Sequence, residues 1–295
     1  MIALAVAAGL VACASSSTGD SAGGAAITVV AAESFWGSIA SQLGGARVSV
    51  TSIVSSPDVD PHDYEPRARD GRAVASAGYV IFNGAGYDPW APKLVAAAGR
   101  RGQAVLDIGK LVGVKEGGNP HRWYSPPDVQ KVIDQISADF RRIDAAGAGY
   151  YTEQERAFES SGLKRYHDSI AAIRQAYAGT PVGASESIFA PLAEALDLRL
   201  LTPESFLDAI SEGAEPTARA KAAVDAQLKA QEVKVYVYNR QNATPDVKAQ
   251  VNLARQQGIP VTSVTETPPA NTSFQEWQAD QLEQLEDALA KAKAA

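Results

Sequence analysis

Two imidazoles and two carboxylates stand where they could share one cation. His62 lies in Asp58-Val59-Asp60-Pro61-His62-Asp63-Tyr64-Glu65-Pro66, and His121 in Asn119-Pro120-His121-Arg122-Trp123-Tyr124-Ser125-Pro126. Glu186 lies in Gly183-Ala184-Ser185-Glu186-Ser187-Ile188-Phe189, and Glu266 in Val264-Thr265-Glu266-Thr267-Pro268-Pro269. Each segment follows a stretch that reads as a β-strand. Two neutral nitrogen donors and two anionic oxygen donors neutralise a divalent ion and complete a four-coordinate shell at roughly 2.0–2.2 Å. The expected occupant is one divalent metal ion, Zn2+ or Mn2+. Carboxylate oxygen suits manganese, whereas intrinsic affinity at a given site favours zinc.

Each residue also has a plainer role. His62 sits in a turn rich in Asp and Pro. The loop of His121 leads to Ser125, a helix cap. A glutamate in the first turn of a helix, as at Glu186, favours the helix dipole. Glu266 precedes a proline pair in an acidic loop. His167, between Tyr166 and Asp168, reads as an ordinary helix residue. The weight rests on the set, with histidines in one half of the chain and carboxylates in the other. Cys13 is the one cysteine, so neither a disulfide within the chain nor a cysteine metal cluster can form. A metal-dependent hydrolase with three zinc ligands is the alternative. Such sites keep an open water position, and the chain has no HExxH helix and no nucleophile elbow. No catalytic residue is assigned.

These residues need a scaffold that brings strand ends together. From residue 27 strands and helices alternate: strands over 27–30, 47–54, 79–82 and 104–108, with helices over 34–43, 70–77 and 90–98. Helices over 129–143 and 152–177 follow. The second is polar with a narrow apolar stripe (Tyr166, Ile170, Ile173, Tyr177), and at roughly 39 Å it is long enough to bridge two lobes. Alternation restarts with strands over 182–184, 198–201, 233–238 and 261–264, between helices over 188–196, 218–230, 247–257 and 274–292. The fold class expected is α/β: two lobes, each with a mostly parallel four-stranded sheet flanked by helices, joined by one long linking helix. The boundaries expected are 27–149 for the N-terminal lobe, 150–178 for the linking helix and 179–295 for the C-terminal lobe. Ligands of open α/β sheets sit at the carboxyl ends of the strands. Two facing lobes therefore place the ion in the cleft between them.

A length of 295 residues fits two compact domains, and a net charge of −7 argues against nucleic acid, which needs a basic face. Residues 1–12 form a small, apolar run, too short for a membrane-spanning helix and suited to the core of a signal peptide. Leu10-Val11-Ala12-Cys13 resembles the lipobox of bacterial lipoproteins, and the Ser-, Gly- and Ala-rich residues 14–26 suit a flexible tether. Residues 1–26 are therefore expected to be signal and tether. Cys13 is the expected lipidation site, and the protein is expected outside the cell membrane, held to it by lipid.

Asp60-Pro61-His62-Asp63-Tyr64-Glu65-Pro66, Asn83-Gly84 with Trp90, Asn119-Pro120-His121-Arg122-Trp123, Glu186-Ser187-Ile188-Phe189 and Val264-Thr265-Glu266-Thr267 together carry a family resemblance. The chain from Ile27 onward resembles the zinc- and manganese-binding solute-binding proteins of ABC transporters, cluster A-I. The resemblance implies two lobes on a rigid linking helix, with metal at their interface. It also implies docking, as a monomer, onto a membrane permease with its cytosolic ATPase. Glu186 stands where zinc-type members usually carry His, and Glu266 where many carry Asp. A His/His/carboxylate/carboxylate set resembles the manganese-type members.

Overall fold

A computed structural model describes residues 27–294 apart from 58, 60, 62, 63 and 116. The signal, the tether and Cys13 lie outside the described residues. β-Branched and aromatic runs form the strands, and the central ones are buried on both faces, as strands in a covered parallel sheet must be. The N-terminal lobe runs β1 (Ile27–Glu33), α1 (Ser34–Gly44), β2 (Val48–Val54), α2 (Ala68–Ser76), β3 (Tyr79–Phe82), α3 (Trp90–Ala98), β4 (Ala104–Asp107), α4 (Ile108–Val112) and α5 (Pro126–Ile143). Then come α6 (Ala148–Ala157), a π-helical turn (Phe158–Gly162) and α7 (Lys164–Tyr177). The second lobe runs β5 (Pro181–Ala184), α8 (Ala190–Ala195), β6 (Arg199–Leu200), α9 (Glu204–Ser211), α10 (Ala218–Lys229), β7 (Val235–Asn239), α11 (Pro245–Gln256), β8 (Val261–Val264) and α12 (Phe274–Ala294).

The sheets have orders β2-β1-β3-β4 and β6-β5-β7-β8, every pair parallel. This is the α/β class expected, with the same winding in both halves. In each sheet the chain reverses its direction of winding beside the first strand, which opens a crevice between the carboxyl ends of the first and third strands. Those ends are Glu33 and Phe82 in one lobe and Ala184 and Asn239 in the other.

Two expectations are corrected. The single helix expected over 152–177 is two α-helices joined through the π turn, whose wider pitch breaks the regular i→i−4 ladder. Helix α9 stands in a stretch where none was expected, and it buries Phe206, Leu207 and Ile210.

One apolar core runs through both lobes, from Val29 and Phe35 through Trp123, Tyr124 and Trp277 to Val182 and Val235. The last helix closes it. α12 packs on α7 and α1, the Phe274 amide donates to Ser38 Oγ (2.9 Å), and Gln275 exchanges amide hydrogen bonds with Gln42.

Candidate metal centre

His121 precedes a short 3-10 turn (Arg122–Tyr124), and its side chain is buried against Tyr87 and Trp123, with ring centroids 5.9 and 5.2 Å away. Its Nδ1 lies 2.9 Å from Asn119 Oδ1, which also accepts from the His121 backbone amide. An amide oxygen only accepts, so Nδ1 carries the proton and the lone pair falls on Nε2, the tautomer a metal ligand needs. Asn119 in turn donates to the Ser187 carbonyl in the other lobe at 2.7 Å.

Asn83 holds this loop from below. It accepts from Trp36 Nε1 (3.0 Å) and donates to the Pro120 carbonyl (3.0 Å). The next residue must be glycine: Gly84 has φ +69, and a Cβ there would lie 2.4 Å from Asp107 Oδ1. The Asn83-Gly84 motif is thus a floor for the histidine loop.

The carboxylates come from the second lobe. Glu186, which leaves β5 in extended conformation (φ −160, ψ 177), is 1% exposed. Its Oε1 accepts from Asn239 Nδ2 (2.6 Å) and its Oε2 from Asn242 Nδ2 (2.7 Å). Glu266 follows β8 and is half-buried. Its Oε1 accepts from the same Asn239 Nδ2 (2.9 Å), and its Oε2 from the hydroxyl of Tyr87, across the cleft, at 3.0 Å. Gln241 Oε1 receives the Glu266 amide (2.6 Å), and Thr265 is pinned by Trp277, Gln281 and Tyr124. The structure thus brings Glu186 and Glu266 onto one amide group, with the His121 loop tied to Ser187 beside them. His62 lies outside the described residues. Its neighbour Pro61 lines the same cleft as His121 and Glu266, and the Pro61 carbonyl accepts from Trp90 Nε1 at 3.0 Å. The cleft encloses about 780 Å³ between the lobes.

Sequence reasoning missed Tyr87, Asn119, Asn239 and Asn242. All four are neutral, and only their position beside the candidate ligands gives them a role. Another carboxylate group, Asp134, Glu155 and Glu159, gathers among the described residues on α5, α6 and the π turn. There Gln130 donates to Asp134 and Glu159 while Arg141 pairs with Glu155, so the group reads as a surface network.

At the equivalent crevice of the first lobe sits a different pair. Glu33 is fully buried beside Asp88, with the backbone amides of Asn83 and of Glu33 itself only weakly easing its charge. Asp88 beside it accepts from the backbone amides of Asn83 and Gly84, both at 2.8 Å. Burial and then the charge of Asp88 push the Glu33 carboxyl well above its usual range. Burial raises Asp88 too, to about 6, but its two amide donors keep it below Glu33, so at neutral pH Asp88 carries the charge and Glu33 the proton. A carboxyl raised in the folded state binds its proton more tightly there than in the unfolded chain. Its cost to stability therefore grows as pH rises from the ordinary carboxylate value, 4.5, through the raised one. Glu33→Gln, neutral at every pH, is expected to melt several degrees above wild type at pH 8, where ~1 kcal/mol is worth roughly 2–4 °C. The gap should close near pH 4.5. A Glu33→Gln melting curve lying below wild type at pH 8 would contradict a raised Glu33 carboxyl.

Two parallel-sheet lobes thus face each other across a cleft with His121 and Glu266 in its lining and Glu186 buried beside Glu266 on Asn239, the architecture of a two-lobed α/β protein. The model of the family described as zinc-uptake complex component A, periplasmic, matches residues 29–288, and the chain belongs to that family. It is 29% identical over 169 residues to the manganese-binding lipoprotein MntA of Halalkalibacterium halodurans, covering 55% of each chain. To MntA of Bacillus subtilis it is 30% identical over 150 residues, 48% of this chain and 49% of that one. The chain thus spans about half the length of the curated relatives it matches. A manganese-bound S38A mutant of a periplasmic metal-binding protein from Candidatus Liberibacter asiaticus superposes with TM-score 0.76 at 16% identity, covering 89% of this chain and 99% of that one. FpvC of Pseudomonas aeruginosa in complex with Ni2+ does so with TM-score 0.71 at 22% identity, covering 90% and 98%. These likenesses establish the fold.

Proposed function

We propose that this protein is the extracytoplasmic solute-binding component of an ABC importer: it captures one zinc or manganese ion and hands it to a permease driven by an ATPase. His62, His121, Glu186 and Glu266 hold the ion. The observation that carries this reading is the meeting of Glu186 and Glu266 on Asn239, with the His121 loop tied to Ser187 beside them. Family membership supports it, as do relatives named as manganese-binding and metal-transporter lipoproteins. Four protein donors leave no coordination position for a reacting water, so the protein is read as a carrier and not a hydrolase.

Capture follows from exposure. Glu266 is the more open carboxylate and faces the cleft, so a hydrated ion first exchanges water there. His121 and Glu186 lie deeper, where desolvation strengthens their attraction for a divalent charge. Lobes over 27–149 and 179–295, with 150–178 between them, and a lipid anchor on Cys13 complete the reading.

The test is titration of the purified, metal-stripped protein with ZnCl2 and with MnCl2 in a calorimeter. One ion per chain is expected for each, the two competing for the same site. Saturation at two ions, or no competition between the metals, would remove this assignment.

A further inference from the structure

Asn239 lies at the end of β7, the strand between β5 and β8. Its side chain therefore falls between Glu186 and Glu266, which follow those two neighbours. A carboxamide NH2 has two hydrogens, and here each goes to a different carboxylate, at 2.6 and 2.9 Å. The orientation of the amide is fixed, because Asn239 Oδ1 accepts from the Gln241 backbone amide at 2.9 Å. The residue is fully buried, and its own backbone amide donates to Ser185 Oγ at 3.0 Å. Like charges brought this close repel, and a neutral donor shared between them offsets that repulsion before any ion arrives.

We propose that Asn239 is a positioning residue that sets the spacing of the carboxylate pair, restrains both carboxylates from turning to offer an ion a second oxygen each, and thereby tilts the site toward zinc over manganese. This rests on the reading that Glu186 and Glu266 are ligands. Both oxygens of Glu186 are held, by Asn239 and Asn242, and both of Glu266, by Asn239 and Tyr87. A carboxylate held from both ends cannot swing to present two oxygens side by side to one ion. Two single oxygens and two imidazoles make the four-coordinate shell that zinc prefers. Manganese takes more oxygen donors, toward six, and gains when a carboxylate is free to bind through both.

The experiment compares wild type with Asn239→Ala and Asn242→Ala. Dissociation constants for Zn2+ and Mn2+ are measured by competitive titration at one pH, and the visible absorption of the Co2+-loaded protein is recorded. Loss of a group that orients ligands typically costs about 10–100-fold in metal affinity. The loss in Asn239→Ala is expected to fall on zinc, lowering the zinc-to-manganese preference at least about tenfold. Asn242→Ala, which removes a donor from Glu186 alone, should lower it less. The cobalt band should weaken, as it does when coordination rises above four. Equal losses for both metals with an unchanged cobalt band would overturn the inference, as would unchanged constants. If Asn239→Ala does not fold, Asn242→Ala and Tyr87→Phe, each removing one donor to a carboxylate oxygen, must move the ratio and the band the same way. Glu186→Ala and Glu266→Ala run in parallel. If both bind zinc like wild type, the ligand assignment itself fails; if both lose zinc while the Asn239→Ala ratio stands still, only this inference does.

Discussion

Replacing His62 and His121 together by alanine is expected to leave a folded protein that no longer gains stability from zinc or manganese. In wild type, an ion that binds the folded chain alone stabilises it by mass action. With free metal a thousandfold above the dissociation constant, the gain is about 4.1 kcal/mol. Two carboxylates alone cannot reproduce it, since they supply only two of the four donors and leave the ion to keep most of its water. The measurement is a pair of denaturant titrations, metal-stripped and metal-saturated. In the double variant the two curves should coincide, while the metal-stripped curve stays near that of wild type. His121 packs against Tyr87 and Trp123, so its truncation costs some apolar contact. A full metal-dependent shift in the double variant would sink the histidine assignment.

Trp277→Ala should be costly even without metal. The indole is 3% exposed and packs among Phe35, Tyr124 and Phe274, and its Nε1 donates to Thr265 Oγ1 at 2.8 Å. Removal of a buried tryptophan costs about 3–5 kcal/mol. Trp277→Phe keeps most of the packing and loses the hydrogen bond, for about 0.5–1.5 kcal/mol. The informative comparison is zinc affinity, because Thr265 precedes Glu266. Trp277→Phe should weaken zinc binding more than its small stability loss suggests. If affinity is unchanged while stability falls, the indole holds α12 in place and has no bearing on the ligand loop.

Most of the scaffold could be read from the chain because its signals are local. Val29 and Val30, Tyr79 to Phe82 and Val235 to Tyr238 are short β-forming runs, and the helices between them carry apolar residues at helical spacing. Where the local signal is short, the reading fell behind. Helix α9 lies in a stretch that looked like a loop. The π turn leaves no mark in periodicity, since one widened turn inside a polar helix shifts few apolar positions. For the site, charged and imidazole groups stand out by type: Glu186 and Glu266 meet on Asn239 at the strand ends, and His121 lines the same cleft as Glu266. Asn239 has no such signal. An asparagine ending a strand looks like any turn residue until the sheet order puts β7 between the two carboxylate strands.

The π turn at Phe158–Gly162 has one further consequence, for register. A π turn holds an extra residue relative to an α-helix, and each residue of an α-helix advances the next by about 100°. The helical span from Ala148 to Tyr177 is thus two faces set at an offset. The first turns Tyr151 toward Phe140 of α5, and the second turns Tyr166 and Ile173 into the core shared with α12. Deletion of a single residue in the turn would restore an even pitch and swing α7 by about a quarter-turn. Tyr166 would then leave the core and His167 would take its place. The chain carries one surplus residue there as a phase correction, so that a continuous rod can serve two partners that do not lie on the same side.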